Sequence, residues 1–227
     1  VIKVSIIHPS LWRPKQAFST CQEWMEAAGK PEEVEFILGV EDNDPNIEEY
    51  KALFGVETKF GRVEIDVGNT RNPVSAMNRA VRILSPTSEL IMVIAEDVAT
   101  IPQWDIELLS LLDGVDNFSE PRFIGVSDGL QVYGKPFVYL IVNKAWYNKF
   151  GYLVYPEYDG VYGDTDMGEV ARRLDCIINA PQLLFQHRHY TLGLSPFDKT
   201  YERMNSAEGY ARNWQVYEKR IARNFDL

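Results

Sequence analysis

The sequence predicts an α/β domain whose mainly parallel sheet is flanked by helices. Three observations lead there. Short apolar runs alternate with stretches of helical spacing through the first half of the chain, the order expected of βαβ units. Two of those runs, residues 34–40 and 89–95, stop abruptly at paired acids, Glu41-Asp42 and Glu96-Asp97. Cap and turn residues punctuate the runs, with proline where helices begin and glycine where one ends.

The elements follow in order. Residues 2–7 read as a first strand, closed by His8-Pro9-Ser10. A helix over 14–28 starts on Pro14, lines up Ala17, Cys21, Trp24, Met25 and Ala28, and ends at Gly29. Residues 34–40 form a second strand, 47–54 a shorter helix and 62–67 a third strand. Asn72 caps and Pro73 opens the next helix, which buries Val74, Met77, Val81 and Leu84 and stops at Ser85-Pro86. The unbroken apolar run at 89–95 is the pattern of a strand covered on both faces. A helix over 102–112 turns Trp104, Leu108, Leu111 and Leu112 inward. Beyond Leu112 the alternation breaks. Strands are expected at 123–126, 137–142 and 176–179, helices at 143–150 and 164–174, and irregular chain over 187–205. A closing helix at 207–221 sets Ala207, Tyr210, Ala211, Trp214, Tyr217 and Ile221 at helical spacing.

The chain has 227 residues, which suits one domain of this kind. A net charge of -10 argues against a nucleic-acid partner held through its phosphates, although Arg188, Lys199, Arg203, Arg212, Lys219, Arg220 and Arg223 gather near the C-terminus. Cys21 and Cys176 form neither a C-x-x-C pair nor a metal-ligand spacing. Cys21 falls on the apolar stripe of its helix, as a reduced core thiol would. No apolar run approaches the roughly 18 residues of a membrane span. The apolar N-terminus is too short for a signal peptide, so a cytoplasmic location is expected. The G-x-S-x-G, Walker-type, G-x-G-x-x-G and zinc signatures are absent, and the enzyme classes they mark lose support.

Four constellations could carry chemistry. Glu96-Asp97 ends a buried strand, at the edge where α/β sheets bind ligands. Two acids there can hold a divalent cation through oxygen, or simply end a strand in solvent. Glu41-Asp42 could accept hydrogen bonds from a base or ribose, or form an acidic turn before Pro45. Gly163-Asp164-Thr165-Asp166 opens a helix. Its acids complement the helix dipole, and Asp164 could equally serve as a general base beside the crevice, with Gly160 and Gly163 allowing close approach. His187 and His189 share one face of an extended segment, so either could ligate a metal or play a structural part. His8 lies at a strand end near the same edge.

The order of these pieces resembles the GT-A-fold glycosyltransferases, specifically the inverting family 2 group. Val4 to Pro14 looks like that family's opening strand and P-T-Y-N-R-P loop. Asn78-Arg79-Ala80 resembles its A-R-N-x-A helix segment, Glu96-Asp97 occupies the place of its D-x-D metal motif, and Pro102-Gln103-Trp104 matches the P-x-W that follows. Gly163-Asp164-Thr165-Asp166-Met167-Gly168 is similar to the E-D-x-D-L start of the helix that carries the base. Ala95 stands where the first Asp of D-x-D is common, and Gly163 where Glu usually precedes the base. Ser10 and Leu11 replace Thr and Tyr, which leaves Trp12 as a stacking surface.

The resemblance implies a GT-A (nucleotide-diphospho-sugar transferase) fold, Rossmann-like, with a mixed sheet and a C-terminal helical extension. It divides one domain into a nucleotide-binding half (1–112), an acceptor and catalytic half (113–190), and a lid with the last helix (191–227). It implies metal-dependent transfer of a sugar from a nucleotide-diphosphate donor, a UDP-sugar foremost, to an acceptor hydroxyl with inversion. Asp164 would be the base. Asp97 with His187 or His189 would bind Mn²⁺ or Mg²⁺, an imidazole favouring Mn²⁺. Pro9, Ser10, Trp12, Arg13, Glu41, Asp42, Asn78 and Glu96 would contact the donor. Residues 191–205 would close over the diphosphate, with Lys199 or Arg203 assisting. The alternatives are a sugar-1-phosphate nucleotidyltransferase, which usually needs a glycine-rich basic loop after the first strand, and a non-catalytic domain that binds a nucleotide sugar or glycan.

Overall fold

Among the described residues, seven strands form one mixed sheet in the order β3-β2-β1-β4-β6-β5-β7. The computed structural model describes residues 1–113, 119–130 and 139–227. The strands are β1 (Val4–Ser10), β2 (Val34–Glu41), β3 (Arg62–Gly68), β4 (Leu90–Val93), β5 (Phe123–Ser127), β6 (Ile141–Asn143) and β7 (Ile177–Leu184). β1 pairs in parallel with both β2 and β4, and β2 in parallel with β3. The carboxyl ends of these four strands therefore reach one edge. β6 runs antiparallel to β4 and β5, and β5 pairs in parallel with β7.

The helices are α1 (Pro14–Ala27), α2 (Ile47–Phe54), α3 (Pro73–Ala80), α4 (Trp104–Ser110), α5 (Lys144–Phe150), α6 (Gly163–Arg173), α7 (Lys199–Met204) and α8 (Ala207–Ala222). Neighbouring strand residues point to opposite faces. Ile6, Phe36 and Met92 join Trp24, Tyr50 and Trp104 of α1, α2 and α4 in one layer. Ile7, Ile37 and Ile91 join Val74 of α3, Trp146 of α5, and Met167 and Val170 of α6 in the other. Cys21 lies in the first layer and Cys176 in the second. Burial pushes their thiols up to about 12 and about 11.

Several boundaries differ from expectation for local reasons. β1 continues through His8, Pro9 and Ser10 because β2 pairs with it as far as Ser10. Pro9 is tolerated because it faces the β4 side, where the ladder stops at Ile7 and Val93, so its missing N–H breaks no rung. α4 starts at Trp104 rather than 102, since Gln103 takes a left-handed backbone at φ 57°. β7 extends to Leu184 through a register shift between Val126 and Ser127, where Pro181 cannot donate to a ladder. The expected strand at 137–142 becomes Ile141–Asn143, and Phe137 and Val138 lie outside the described residues.

The C-terminal segment departs most. Residues 199–204 are helical, with the Asp198 carboxylate accepting from Thr200 N (3.0 Å) and Tyr201 N (3.1 Å). The last helix forms where expected, but its deepest residues are Gly209, Asn213 and Arg220. Ala207, Ala211 and Ile221 face outward, while Tyr210, Trp214 and Tyr217 close around Tyr162 at 5.5–6.1 Å between ring centres. Hydropathy spacing missed this because polar bonding sets the face. Asn213 accepts from Asp159 N at 2.9 Å. Arg220 donates to both oxygens of Asp166 at 2.9 and 3.2 Å, with both side chains almost wholly buried. Among the described residues no helix is long and apolar enough to cross a membrane.

Removing one member of such a pair strands a buried charge, which costs roughly 3–5 kcal/mol. Arg220→Ala is expected to lower unfolding stability by that amount, read from the urea midpoint. A loss under 1 kcal/mol would mean that the pair does not tie α8 to α6.

Candidate active site at the sheet edge

The strand ends bring Ser10, Glu41, Glu96 and Asp97 to one cleft of about 310 Å³, which Pro9, Leu11 and Arg13 also line. Its opposite wall is His187 and His189 beyond β7, with Thr200, Tyr201, Arg203 and Met204 of α7. Backbone bonding draws the two walls together: Arg188 N donates to Asp97 O at 2.7 Å, and Ala99 N to Gln186 O at 2.9 Å. The Arg188 guanidinium holds both carboxylate oxygens of Glu23 on α1 at 2.7–2.9 Å.

The two adjacent acids turn to different partners. Glu96 accepts from Ser10 Oγ at 2.5 Å and lies 3.5 Å from Arg13 and 3.6 Å from His8. Burial opposes its charge, but those neighbours outweigh it and hold the carboxyl below its usual range. Asp97 meets His187 Nε2 at 3.0 Å and accepts from the Tyr201 hydroxyl. Here too burial works against the charge, and His187 with Tyr201 holds the carboxyl below its usual range.

Asp97 and His187 also border a second cavity of about 310 Å³, which contains Asp164. Asp164 sits in the first turn of α6, where its carboxylate accepts from Thr165 N at 2.8 Å. The turn before it is strained: Tyr162 has φ 68°, an uncommon backbone for a bulky residue that needs outside support. The α8 aromatics supply it. Gly163 fits because a Cβ there would stand 2.6 Å from Val154 Cγ1. Burial pushes the Asp164 carboxyl above its usual range, with the Thr165 N–H and hydroxyl only partly opposing it.

The remaining expected residues divide. Pro9, Ser10, Arg13, Glu41, Glu96, Asp97, His187 and His189 share the cleft. His189 Nδ1 is occupied with Thr191, which leaves Nε2 for a ligand. Burial, then the charge of His187, keeps its imidazole below the usual range. Trp12 lies outside that lining, 41% exposed with Arg203 over its ring. It borders a separate hollow with Asn46 and Lys199. Asp42 faces outward and pairs with Arg71 at 2.8 Å. Asn78 lies outside the cleft lining, and its side-chain amide bonds the backbone of Leu153 and Val154 at 2.7–3.2 Å. His8 is fully buried behind Glu96, edge-on to Phe36.

Sequence reading missed Tyr201 and Asp198. Asp198 binds the Arg13 guanidinium at 2.6 and 2.8 Å, while Arg203 reaches Glu41 at 3.0 Å. Asp198 standing before Lys199-Thr200-Tyr201 is a helix-cap signal that could have found α7. Among the described residues no group of three or more His, Cys, Asp and Glu side chains gathers to hold an ion. Asp97 and His187 offer one oxygen and one nitrogen. That pair fits a divalent cation that completes its shell with phosphate oxygens and water.

No family model and no curated protein matches the sequence. Solved structures do. TarS 1–349 of S. aureus in complex with UDP aligns at TM-score 0.60 and 14% identity, over 81% of this chain and 59% of that one. The chain spans 36% of the longer TarS structure. A mannosyltransferase of Pyrobaculum calidifontis in complex with GDP-Man and Mn²⁺ aligns at 0.62 and 10% identity, over 93% and 71%. Glucosyl-3-phosphoglycerate synthase of Mycobacterium tuberculosis, in complex with Mn²⁺, UDP and glucosyl-3-phosphoglycerate, aligns at 0.55 and 13%, over 85% and 75%. The fold is therefore the GT-A fold.

A carboxyl whose proton is held more tightly in the folded state weakens the fold as it ionises. Stability contributed by Asp164 is greatest at low pH and falls as pH rises through its raised value. Asp164→Asn is expected to be more stable than the parent protein at pH 7, with the difference shrinking towards pH 3. Denaturant midpoints at the two pH values check this, and equal midpoints at pH 7 would contradict it.

Proposed function

We propose that the protein transfers a sugar from a nucleoside-diphosphate sugar, a UDP-sugar foremost, to an acceptor hydroxyl with inversion. One observation carries the reading: Asp97 borders both cavities, the cleft lined by Glu41, Glu96 and Arg13 on one side and the Asp164 cavity on the other. A diphosphate in the cleft would have its leaving bond near Asp97, within the chamber that contains a base.

Asp97 and His187 would hold Mn²⁺ or Mg²⁺. Bound there, the ion would neutralise charge on the departing diphosphate. Glu41 and Glu96 would receive hydroxyl or base donors of the nucleoside. Arg13 and Arg203 would face the phosphates, their carboxylate partners Asp198 and Glu41 holding them in place. Asp164 would accept the proton of the acceptor hydroxyl as that oxygen bonds to the anomeric carbon. The bond from that carbon to the diphosphate oxygen breaks on the opposite face, and its electron pair leaves with the diphosphate. α7 closes the cleft on its open side and would exclude water during transfer. The same segment must open for donor to enter, because the Tyr201 hydroxyl occupies Asp97.

UDP or GDP with Mn²⁺ is expected to raise the melting temperature, and Asp97→Ala to abolish the Mn²⁺-dependent part. Slow Mn²⁺-dependent hydrolysis of a UDP-sugar should vanish in the same variant. Pyrophosphate release from nucleoside triphosphate and a sugar phosphate would instead mark a nucleotidyltransferase. Binding without any turnover would mark a non-catalytic domain. Asp164→Asn should lower turnover by about 10²–10⁴-fold while leaving nucleotide binding intact. The acid limb of the kcat profile should lie above the ordinary aspartate value of about 3.9, since the base works only when ionised.

A further inference from the structure

The cavity that contains Asp164 is a poor place for a sugar acceptor. Besides Asp97, Tyr139, Asp164 and His187, its described side chains are apolar, with Val93, Val154, Val161, Met167 and Met204 among them. The hydroxyl of Tyr139, which also borders it, is spent on Phe185 O at 2.7 Å. The three ionisable groups are committed as well: His187 and Tyr201 to Asp97, Thr165 to Asp164. Gly163 deepens this character. At the position where the resembling family carries Glu, this chain has no side chain, and Val154 Cγ1 fills the space a Cβ would need. Met204 packs likewise into the space over Gly160, 2.5 Å from where a Cβ would stand.

We propose that this cavity takes an acceptor alcohol whose body is apolar, an aryl or alkyl group bearing one hydroxyl, rather than an oligosaccharide. The assignment rests on the sugar-transfer reading for the fate of the hydroxyl and on the cavity walls for the class of body. A sugar would have to set several hydroxyls against methyl and methylene groups with few partners to meet them. An apolar body needs none, and its single hydroxyl belongs at the Asp164 end. That oxygen bonds to the anomeric carbon, its proton passes to Asp164, and the diphosphate leaves with the electrons of the broken bond. Apolar walls also account for a base whose ionisation is disfavoured.

2-Naphthalenemethanol serves as the aryl probe and methyl α-glucoside as the sugar probe. Binding is followed by thermal shift and titration on the intact chain, with UDP and Mn²⁺ run in parallel. The aryl alcohol should bind saturably and at least about tenfold more tightly than the glucoside, a discrimination within reach of an apolar pocket. Val161→Thr keeps the side-chain shape on a partly exposed wall and adds a hydroxyl. It should weaken the aryl probe several-fold and leave the UDP shift unchanged. Equal or tighter binding of the glucoside, or indifference of the aryl probe to Val161→Thr, would overturn the assignment. If the aryl probe binds at Val161 but UDP with Mn²⁺ gives no shift, the transfer reading falls and the cavity assignment stands. If UDP binds and only the glucoside occupies the cavity, the reverse holds. With a UDP-sugar present, the aryl alcohol should release UDP faster than water alone does, and Asp164→Asn should remove that excess.

Discussion

The carboxylate of Asp97 lies where three distant parts of the chain converge. It follows β4, meets His187 beyond β7, and accepts the hydroxyl of Tyr201 on α7. Its backbone oxygen also takes the N–H of Arg188. Each partner depends on architecture elsewhere. The register shift at Pro181 redirects the chain after β7, Asp198 caps α7, and Arg188 is anchored on Glu23. A charge buried beside imidazole and phenol is stable only while those groups are in place. The cleft is thus set by tertiary contacts as much as by the strand ends that begin it.

Asp97 and Asp164 border the same chamber with their carboxyls shifted in opposite directions. Donors crowd the first and keep it ionised, whereas the second has mostly burial around it, which favours the proton. Two carboxylates separated in this way suit different tasks, one to bear charge throughout and one to exchange a proton. The second environment depends on α8. Its aromatics enclose the strained Tyr162, and its Arg220 fixes Asp166 two residues beyond Asp164. The C-terminal helix therefore helps to set the surroundings of Asp164, although it is remote in sequence.

The βαβ half was legible because its signals are local. Apolar runs, Pro14, Asn72 and Pro73 each act within a few residues, and α2 runs over the very residues that the spacing indicated. Glu41, Glu96 and Asp97 were placed at the sheet edge by the strands that end in them, and they do line the cleft there. Where long-range bonding decides, the sequence was silent or misleading. Asn78 fitted a motif, but its amide is consumed by the backbone of Leu153 and Val154. Trp12 offered an aromatic ring that the left-handed backbone at φ 63° leaves outside the cleft lining. α8 showed an apolar stripe and buried its polar one, because Asp159 and Asp166 lie underneath. Tyr201 gave no signal of its own, since its role exists only once α7 folds back across the edge.

The two thiols have a practical meaning. Cys21 lies in the layer beneath α1 and Cys176 in the layer of α5 and α6, and both are held protonated by burial. A thiolate is what an alkylating reagent captures, so in the folded protein neither sulfur offers it a target. Each becomes a silent clock for its own side of the sheet. The order in which the two take up a mass tag under mild denaturant would tell which layer loosens first, with no cysteine introduced for the purpose.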